Sequence, residues 1–286
     1  MSSGSSYIPG ASTPTLAYRW INEVWAKTLD RQAYEKDTIW KKFKQFDYLG
    51  NKFHIPKHDN LTPASVADTT DLYEPTFSSN NEGETTITPG AIRLNVAIDD
   101  RTLARMAFDP TDTVKESIIM AMNQKVDQDA AANFNSLTTN SVGAVGADLT
   151  FADVLAARSA VKAGAKEYAD VGDYIFVYHV LQDDNIMGIS QFTQFIVRGK
   201  TDSAANTGYV GSGYGIQFVP SSNVYNTGAG FANAMFVSRA FGQGWSIKPK
   251  VEVQRHGPAN WLIGLADYGS AIIRDAYACK MLSKNT

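Results

Sequence analysis

The segment Gly50–Asp99 decides the fold, and it reads GNKFHIPKHDNLTPASVADTTDLYEPTFSSNNEGETTITPGAIRLNVAID. Apolar and polar residues alternate at its two ends, over Lys52–Ile55 and Ile92–Ile98, which predicts a strand at each end. Four prolines and Thr-rich spacers fill the middle, where a helical period is almost absent. A segment of this length without its own core is either disordered or an arm that lies on another surface.

We interpret this segment as a long two-stranded arm. An isolated two-stranded ribbon is only marginally stable in water, because it buries too little apolar surface. Its edges would also offer unpaired backbone groups to any passing chain. We therefore expect a neighbouring copy of the protein to hold the arm.

The composition fits a folded shell or scaffold component of one or two domains, with 286 residues of which 44% are hydrophobic and 19% charged. The formal net charge is -3, from 26 basic and 29 acidic residues spread along the chain. This distribution argues against the concentrated basic face of a protein that reads DNA sequence. Cys279 is the only cysteine, which excludes an intrachain disulfide and a cysteine-based zinc site and is compatible with a reducing cytoplasm.

Targeting and membrane segments are not predicted. Residues Met1–Thr15 are rich in Ser, Gly, Pro and Thr and lack the basic start and apolar run of a signal peptide. No apolar stretch approaches the roughly 20 residues that a helix needs to cross a bilayer.

The chain on either side of the arm has a helical period. Leu16–Phe46 predicts one or two amphipathic helices. Thr111–Ser141 contains no Gly or Pro, and its apolar spacing predicts a spine helix over 111–138, which would span roughly 40 Å. Asp109-Pro110, followed by Thr113 and Glu116, suggests the start of that helix with a capping box.

The second half predicts a helix followed by a mixed sheet. Thr150 and Asp153 form an N-terminal capping signature for a helix that ends near Gly164. Asp173–Val180 predicts a strand buried on both faces, and Gln182–Met187 a short helix or turn. Further strands are predicted at Gln194–Val197, Ile216–Val219, Ala234–Arg239, Val251–Arg255, Trp261–Leu265 and Ala276–Leu282.

Three stretches then carry a family resemblance. Thr207–Val224, TGYVGSGYGIQFVPSSNV, resembles the glycine-punctuated stretch that leads into the axial domain of tailed-phage major capsid proteins. Tyr174–His179 resembles the strand that enters the axial region, and Ala266–Asp275 resembles its return. Sequences in this family diverge heavily, so the ordered set of segments over nearly the whole chain carries the resemblance.

The resemblance implies an α+β fold, the tailed-phage capsid fold that herpesviruses and encapsulin nanocompartments share. Its parts would be an N-terminal arm (1–49), an extended β-hairpin loop (50–98), a peripheral domain with the spine helix (99–188, with return strands from 245–265) and an axial domain with a central mixed sheet (189–286). The C-terminal strand would return to that sheet. A long N-terminal extension of the kind that some members cleave is not expected, which leaves open whether a separate scaffold protein assists assembly.

The function that this resemblance implies is assembly. The chain would be a major capsid protein, with no catalytic activity and no cofactor, that forms an icosahedral shell of pentamers and hexamers around a double-stranded DNA phage genome. Its partners would be further copies of itself, a portal protein, possible scaffold and decoration proteins, and packaged DNA bound without sequence specificity, but no membrane. It would assemble in the host cytoplasm and reside in the virion. Two alternatives stay open: an encapsulin-like nanocompartment shell, and a soluble hydrolase or sugar-binding protein with a ligand cleft.

Charged residues supply the candidate assembly contacts. The loop candidates are Lys52, Lys57, Glu74, Glu82, Glu84 and Arg93, and their candidate partners on a neighbour's spine helix are Lys115, Glu116 and Lys125. The densest basic group is Lys41, Lys42 and Lys44. Such a group is most often a solvated helix face, and the resemblance adds the hypothesis that these lysines touch phosphates of packaged DNA at the shell interior.

The glycine cluster is predicted to form turns of the axial domain. Its members are Gly208, Gly211, Gly213 and Gly215. Their spacing matches neither the dinucleotide fingerprint nor the P-loop, and no Lys-Ser/Thr pair follows them. Positive φ angles and close backbone approach are the common reasons for such glycines.

Catalytic and metal sites are not predicted. His54 and His58 flank Pro56 in a predicted strand, so they would not converge as a helical metal-binding pair does. Asp127 and Asp129 would point about 200° apart on the spine helix, and so could not share one substrate. The remaining pairs and single residues have structural interpretations at the ends of elements; they are Asp99-Asp100, Asp183-Asp184, His179 and His256.

Overall fold

The computed structural model describes residues 38–47, 50–58, 82–105, 109–168, 173–189 and 212–285. The helices of these residues are α1 (Asp100–Arg105), α2 (Thr111–Asn135), α3 (Phe151–Ala165) and α4 (Asp183–Met187). The strands are β1 (Lys44–Asp47), β2 (Phe53–His58), β3 (Glu82–Ile87), β4 (Gly90–Asp99), β5 (Ser141–Gly143), β6 (Tyr174–His179), β7 (Ser212–Gly213), β8 (Ile216–Ser221), β9 (Phe231–Phe236), β10 (Phe241–His256), β11 (Ala259–Ile272) and β12 (Ala278–Ser283). The α+β class is confirmed.

The spine helix α2 is confirmed, and it ends three residues before the predicted boundary. It starts at Thr111 as predicted, but the cap differs from the prediction, because the carboxylate of Asp109 accepts hydrogen bonds from the backbone N–H of Thr111 (2.9 Å) and from its hydroxyl (2.5 Å). Pro110 occupies the N-cap position without a side-chain cap. The predicted capping box of Thr113 and Glu116 is therefore wrong.

A four-stranded sheet in the order β1-β10-β11-β4 packs against α2. Ile118, Met122 and Val126 of the helix are buried against Leu262 and other residues of the sheet. The contact is close at Gly264, where an added Cβ atom would lie 2.5 Å from Cγ2 of Ile118. A side chain at this position would push helix and sheet apart.

A six-stranded sheet in the order β5-β12-β9-β6-β8-β7 forms the second layer. Its strand β6 is buried from Tyr174 to Tyr178, as the run of apolar residues predicted. Helix α3 covers one face, and it begins with the predicted capping box, in which Thr150 accepts from the N–H of Asp153 while Asp153 accepts from Thr150. On the other face, Phe43 packs with Phe134, Phe236 and Phe241.

The strand pairing predicted for the two-stranded arm is wrong. Strands form at both ends of the segment as predicted, but β2 and β4 do not pair with each other. β2 pairs with β3 in a separate antiparallel hairpin. β4 pairs with β11 from Gly90↔Tyr268 to Asp99↔Ala259 and so belongs to the four-stranded sheet.

Other predictions need smaller corrections. Within the predicted helical region, the described residues form a 3-10 turn at Trp40–Lys42 and then strand β1, not a continuing α-helix. The separate strands predicted at Val251–Arg255 and Trp261–Leu265 are parts of the long strands β10 and β11. The strand predicted at Ala234–Arg239 begins earlier, as β9, and a 3-10 turn follows it. The strand predicted at Gln194–Val197 lies outside the described residues.

Candidate assembly surfaces

The β2–β3 hairpin is anchored at one end only. Ile87 is 1% exposed, and it is the one buried side chain among the described residues of the two strands. It enters a space that two glycines leave open, because added Cβ atoms at Gly242 and Gly269 would lie 3.2 Å from Cδ1 and 2.8 Å from Cγ2 of Ile87. Phe53, its partner in the register, packs against Phe46 of β1 with ring centroids 5.1 Å apart.

The rest of the described hairpin has little cover. Residues 53–58 alternate between half-buried and exposed, and none of them is buried. Across from them, Gly83 and Glu84 are exposed. Because two strands alone cannot bury an apolar face, this hairpin needs a surface from elsewhere to gain stability.

The predicted loop charges fall into two groups. Glu84 lies on the hairpin, where its Oε2 is 3.2 Å from Nδ1 of His54. Lys52 precedes β2 and Lys57 lies on it, whereas Arg93 lies exposed on β4, in the four-stranded sheet. Glu74 lies outside the described residues, and for Glu82 the structure gives the backbone pairing with His58.

Two of the predicted spine residues form ion pairs within their own helix. Nζ of Lys115 lies 2.9 Å from Oδ1 of Asp112, and Nζ of Lys125 lies 2.6 Å from Oδ1 of Asp129. Pairs of this kind contribute only a few tenths of a kcal/mol, so they leave these lysines free to exchange partners. Glu116 is exposed on the same helix. Pairing with a neighbour's loop stays a prediction.

The three clustered lysines divide between two elements. Lys41 and Lys42 lie on the 3-10 turn, whereas Lys44 begins β1. Nζ of Lys42 donates to Oε1 of Gln217 at 3.1 Å, and Nζ of Lys44 lies 5.1 Å above the ring of Phe46. They do not share one helix face, and their contact with DNA stays a prediction.

Asp127 holds the residues before β1 onto the spine helix, a role that sequence reasoning missed. Its side chain is fully buried on α2. Oδ1 accepts from the backbone N–H groups of Ile39 (2.7 Å) and Trp40 (3.0 Å), and Oδ2 accepts from Nδ2 of Asn223 (3.1 Å). Burial raises the pKa of Asp127, although these donors act to lower it. One sequence signal could have indicated this role: Asp127 lies next to Val126, on the apolar stripe of the helix.

Asp129 points to a different neighbour, as the helical spacing predicted. Its Oδ2 accepts from the hydroxyl of Tyr268 at 2.5 Å. Burial and then this carboxylate raise the pKa of Tyr268. The pair Asp127 and Asp129 therefore joins α2 to two separate parts of the chain.

The other carboxylates and histidines singled out in the sequence have local partners. The guanidinium of Arg255 pairs with the carboxylate of Asp100, with Nη1 2.7 Å from Oδ1. Asp183 accepts from the hydroxyl of Tyr178 at 2.6 Å. His179 stacks on Phe231, and His256 stacks on Trp261. Among the residues that the structure describes, no group of three or more His, Cys, Asp or Glu side chains could hold a metal ion.

Gly215 forms a tight turn. Tyr214 (φ 54°) and Gly215 (φ 74°) connect β7 to β8, where Gly213 pairs with Ile216. Two successive positive φ angles are typical of the type I′ turn of a two-residue hairpin loop. Gly213 belongs to β7, whereas Gly208 and Gly211 lie outside the described residues.

None of the described helices is both long enough and apolar enough to pass through a bilayer. No protein-family model matches the sequence. No curated protein matches it either.

Solved structures with the same fold are nevertheless found, and capsid structures of phages are among them. The capsid structure of the cyanophage P-SCSP1u matches with a TM-score of 0.74 at 15% identity, covering 100% of both chains. The acid-stable capsid of the Helicobacter pylori bacteriophage KHP30 matches with a TM-score of 0.75 at 12% identity, covering 93% of this chain and 96% of that one. A chain of the Mycobacterium phage Che8 matches with a TM-score of 0.70 at 15% identity, covering 92% and 97%. The chain therefore has the capsid fold of tailed phages, over nearly its whole length.

Proposed function

We propose that the chain is a major capsid protein that assembles, as pentamers and hexamers, into an icosahedral shell around a double-stranded DNA phage genome. The observation that carries this proposal is the likeness to phage capsid chains, which covers at least 93% of this chain and at least 96% of each matched chain. A fold by itself can host several functions. The surfaces of this chain supply the second support.

Those surfaces are suited to repeated contacts between copies. The hairpin has only Ile87 buried among its described residues, so a neighbouring subunit would provide the cover it lacks. Among the strands that the structure describes, β1 and β4 are the edge strands of their sheet, and the ten residues of β4 form a long edge. Exposed edges of this length invite pairing with another chain. Head-to-tail contacts around a local axis would close such subunits into rings.

The parts of the chain are assigned accordingly. The N-terminal arm is 1–49, the extended loop lies within 50–98, the peripheral domain contains α2 and the strands of 245–265, and the axial domain is 189–286. Within the loop, the β2–β3 hairpin would reach over the neighbour, because β4 belongs to the four-stranded sheet. The portal, scaffold and decoration proteins of a phage head, and DNA contacted through its phosphates, would be the other partners.

The experiment that tests this function is electron microscopy of the purified chain in negative stain. We expect closed particles of megadalton size. A monomer or small oligomer under all assembly conditions would instead favour a soluble hydrolase or sugar-binding protein.

The contents of native particles separate the two shell functions. Particles purified from the producing host and treated with nuclease should contain protected double-stranded DNA. Particles that hold an enzyme instead of DNA would identify a nanocompartment. Nothing in the structural comparisons favours that alternative, since the matched chains named above come from phages.

A further inference from the structure

A cleft of about 590 Å³ lies between the β2–β3 hairpin and the end of α3. This volume is within the roughly 300–1,000 Å³ that small-molecule sites have. Residues 55–58 of β2 form one wall, and residues 164–166 at the end of α3 form another. Nη2 of Arg274 donates to the carbonyl oxygen of His58 at 2.7 Å, which ties the end of β2 to the turn after β11. The cleft therefore has the size of a ligand site and walls from separate elements.

Positive charge dominates the lining of this cleft. No carboxylate of the described residues lines it. The lining cations are Lys44, Lys57, Lys166, Arg239 and Arg274. Like charges gathered around one small space repel one another, so an anion that enters this space is attracted by several of them at once.

Three of these cations make no ion pair with any residue that the structure describes; they are Lys44, Lys166 and Arg239. Other cations of the chain do have such partners. Nζ of Lys284 lies 2.7 Å from Oδ1 of Asp148, and Arg255 pairs with Asp100. The cleft thus holds charge that the described part of the subunit leaves without a counter-ion.

Two tyrosine rings orient the arginines of the cleft. The guanidinium of Arg239 lies 4.1 Å from the ring centroid of Tyr168, and that of Arg274 lies 5.8 Å from the ring centroid of Tyr277. The two rings are neighbours, with centroids 6.1 Å apart. A guanidinium that is held by a ring keeps its N–H donors for another partner, and its planar fork matches the oxygens of a phosphate group.

Lys166 has a strained backbone conformation at the edge of the cleft. At the C-cap of α3 its φ is 48° and its ψ is -112°. Glycine adopts positive φ readily, whereas residues with a Cβ atom do so rarely. Such strain persists where the surrounding structure holds it, and it concentrates at ligand sites. The place of Lys166 in the lining agrees with that pattern.

We propose that this cleft binds a short chain of phosphate groups, of the kind that inorganic tripolyphosphate and nucleoside triphosphates share. Several linked phosphates supply the multiple negative charges that the convergent cations attract, which a single carboxylate does not. The cleft is too small for a double helix. Because Lys57 lies on the hairpin and Lys166 at the end of α3, the ligand would join the hairpin to the rest of its own subunit.

The test is isothermal titration calorimetry of inorganic tripolyphosphate into the unassembled full chain at low salt. We expect one saturable site per subunit, and a higher unfolding temperature with the ligand present. ATP should compete for the same site, because it carries the same phosphate chain. Equal affinities would show that the phosphates are the whole ligand, and tighter binding of ATP would add a contact to the nucleoside; both results agree with the proposal. Tripolyphosphate binding with which ATP does not compete would contradict it.

Two substitutions place the site in the cleft. Lys166→Gly removes a charge and introduces the residue that this backbone conformation suits, so the variant should fold normally and bind tripolyphosphate about tenfold more weakly. Arg239→Gln, at an exposed position, should weaken binding by a similar factor, and the double variant should show no saturable binding. Thermal unfolding of each variant without ligand checks its fold.

The matched control is Lys162→Gln, which removes a charge at an exposed position of the same helix outside the cleft. It should bind like the wild type, because the net charge of the chain is -3 and only a local site attracts an anion. Equal weakening by Lys162→Gln would overturn the proposal. Absence of tripolyphosphate binding would overturn it too, and a duplex oligonucleotide that binds in its place through the same residues would identify a contact with DNA. Neither result bears on the proposed shell, since the titration uses unassembled subunits.

Discussion

Asp127 shows at the scale of one residue how a polar side chain can determine the position of a whole segment. The sequence predicts its position on α2, and only its place next to the apolar Val126 distinguishes it from the other carboxylates. Its partners are Ile39 and Trp40, from 88 and 87 residues away, and Asn223, from 96 residues away. Contacts across such separations follow from the packing of α2 and cannot be read from local pattern.

Replacing Asp127 by alanine should destabilise the subunit by about 2–4 kcal/mol, because buried backbone N–H groups would lose their acceptor. Urea unfolding of the unassembled subunit measures this change. Asp112→Ala is the matched control on the same helix, since it removes only an exposed pair with Lys115, and it should cost about 0.5 kcal/mol or less. Equal losses for the two variants would contradict the role of Asp127.

The raised pKa of Asp127 predicts a direction of pH dependence. Burial raises it above the ordinary 3.8, although the N–H donors act to lower it. Between the unfolded and the folded pKa the folded state therefore binds more protons, so the free energy of unfolding falls as pH rises through that window and levels off above it. Asp127→Asn cannot titrate and should lack this decline. Identical pH profiles from urea titrations of the two proteins would exclude the effect.

At the scale of elements, one of the two predicted helix caps forms and the other does not. Thr150 and Asp153 cap α3 reciprocally, whereas Thr113 lies inside α2, which begins at Thr111 after Asp109. The two motifs look alike in sequence. The N-cap of α2 is Pro110, three residues before the Thr113 that the capping box required.

We expect Thr150→Ala to lower the free energy of unfolding by about 1 kcal/mol, because the N–H of Asp153 loses its acceptor. Thr113→Ala, which removes no cap, should have a markedly smaller effect. Guanidinium unfolding of both variants tests the difference. A larger loss from Thr113→Ala would mean that the helix starts are assigned wrongly.

The anchor of the hairpin can be tested through a glycine. At Gly269 an added Cβ atom would lie 2.6 Å from the carbonyl oxygen of Thr88 and 2.8 Å from Cγ2 of Ile87. Gly269→Ala should therefore displace Ile87, destabilise the subunit by about 1–3 kcal/mol and speed proteolysis between β2 and β4. Gly90→Ala, where nothing lies within 4 Å, is the control. Unchanged proteolysis of Gly269→Ala would exclude Ile87 as the anchor.

At the scale of the whole molecule, the hairpin should be dispensable for folding and required for assembly. Replacing His54–Thr86 by Asn-Gly keeps Phe53 beside its partner Ile87 and closes the chain with a favourable two-residue turn. We expect cooperative thermal unfolding of the shortened subunit and no closed particles in negative stain. Normal particles from this variant would show that the hairpin is not an assembly element.

The sequence by itself determined the order of the parts: an extended segment, a long helix, a capped helix, a buried strand and a mixed sheet. Each of these depends on residues close together in the chain, since period, capping and turn chemistry act over a few residues. Thr111–Asn135, Thr150–Asp153 and Tyr174–His179 were predictable for that reason.

Only the tertiary structure decided which strands pair, where the hairpin ends and what Asp127 holds. The strand at Ile92–Ile98 has the alternation that a hairpin partner for β2 would have, yet it pairs with β11, more than 160 residues later. Alternation shows that a strand has two different faces, but not which edge it will join. That choice depends on the surface that α2 and the glycines at 264 and 269 leave open, and this surface exists only once the chain has folded.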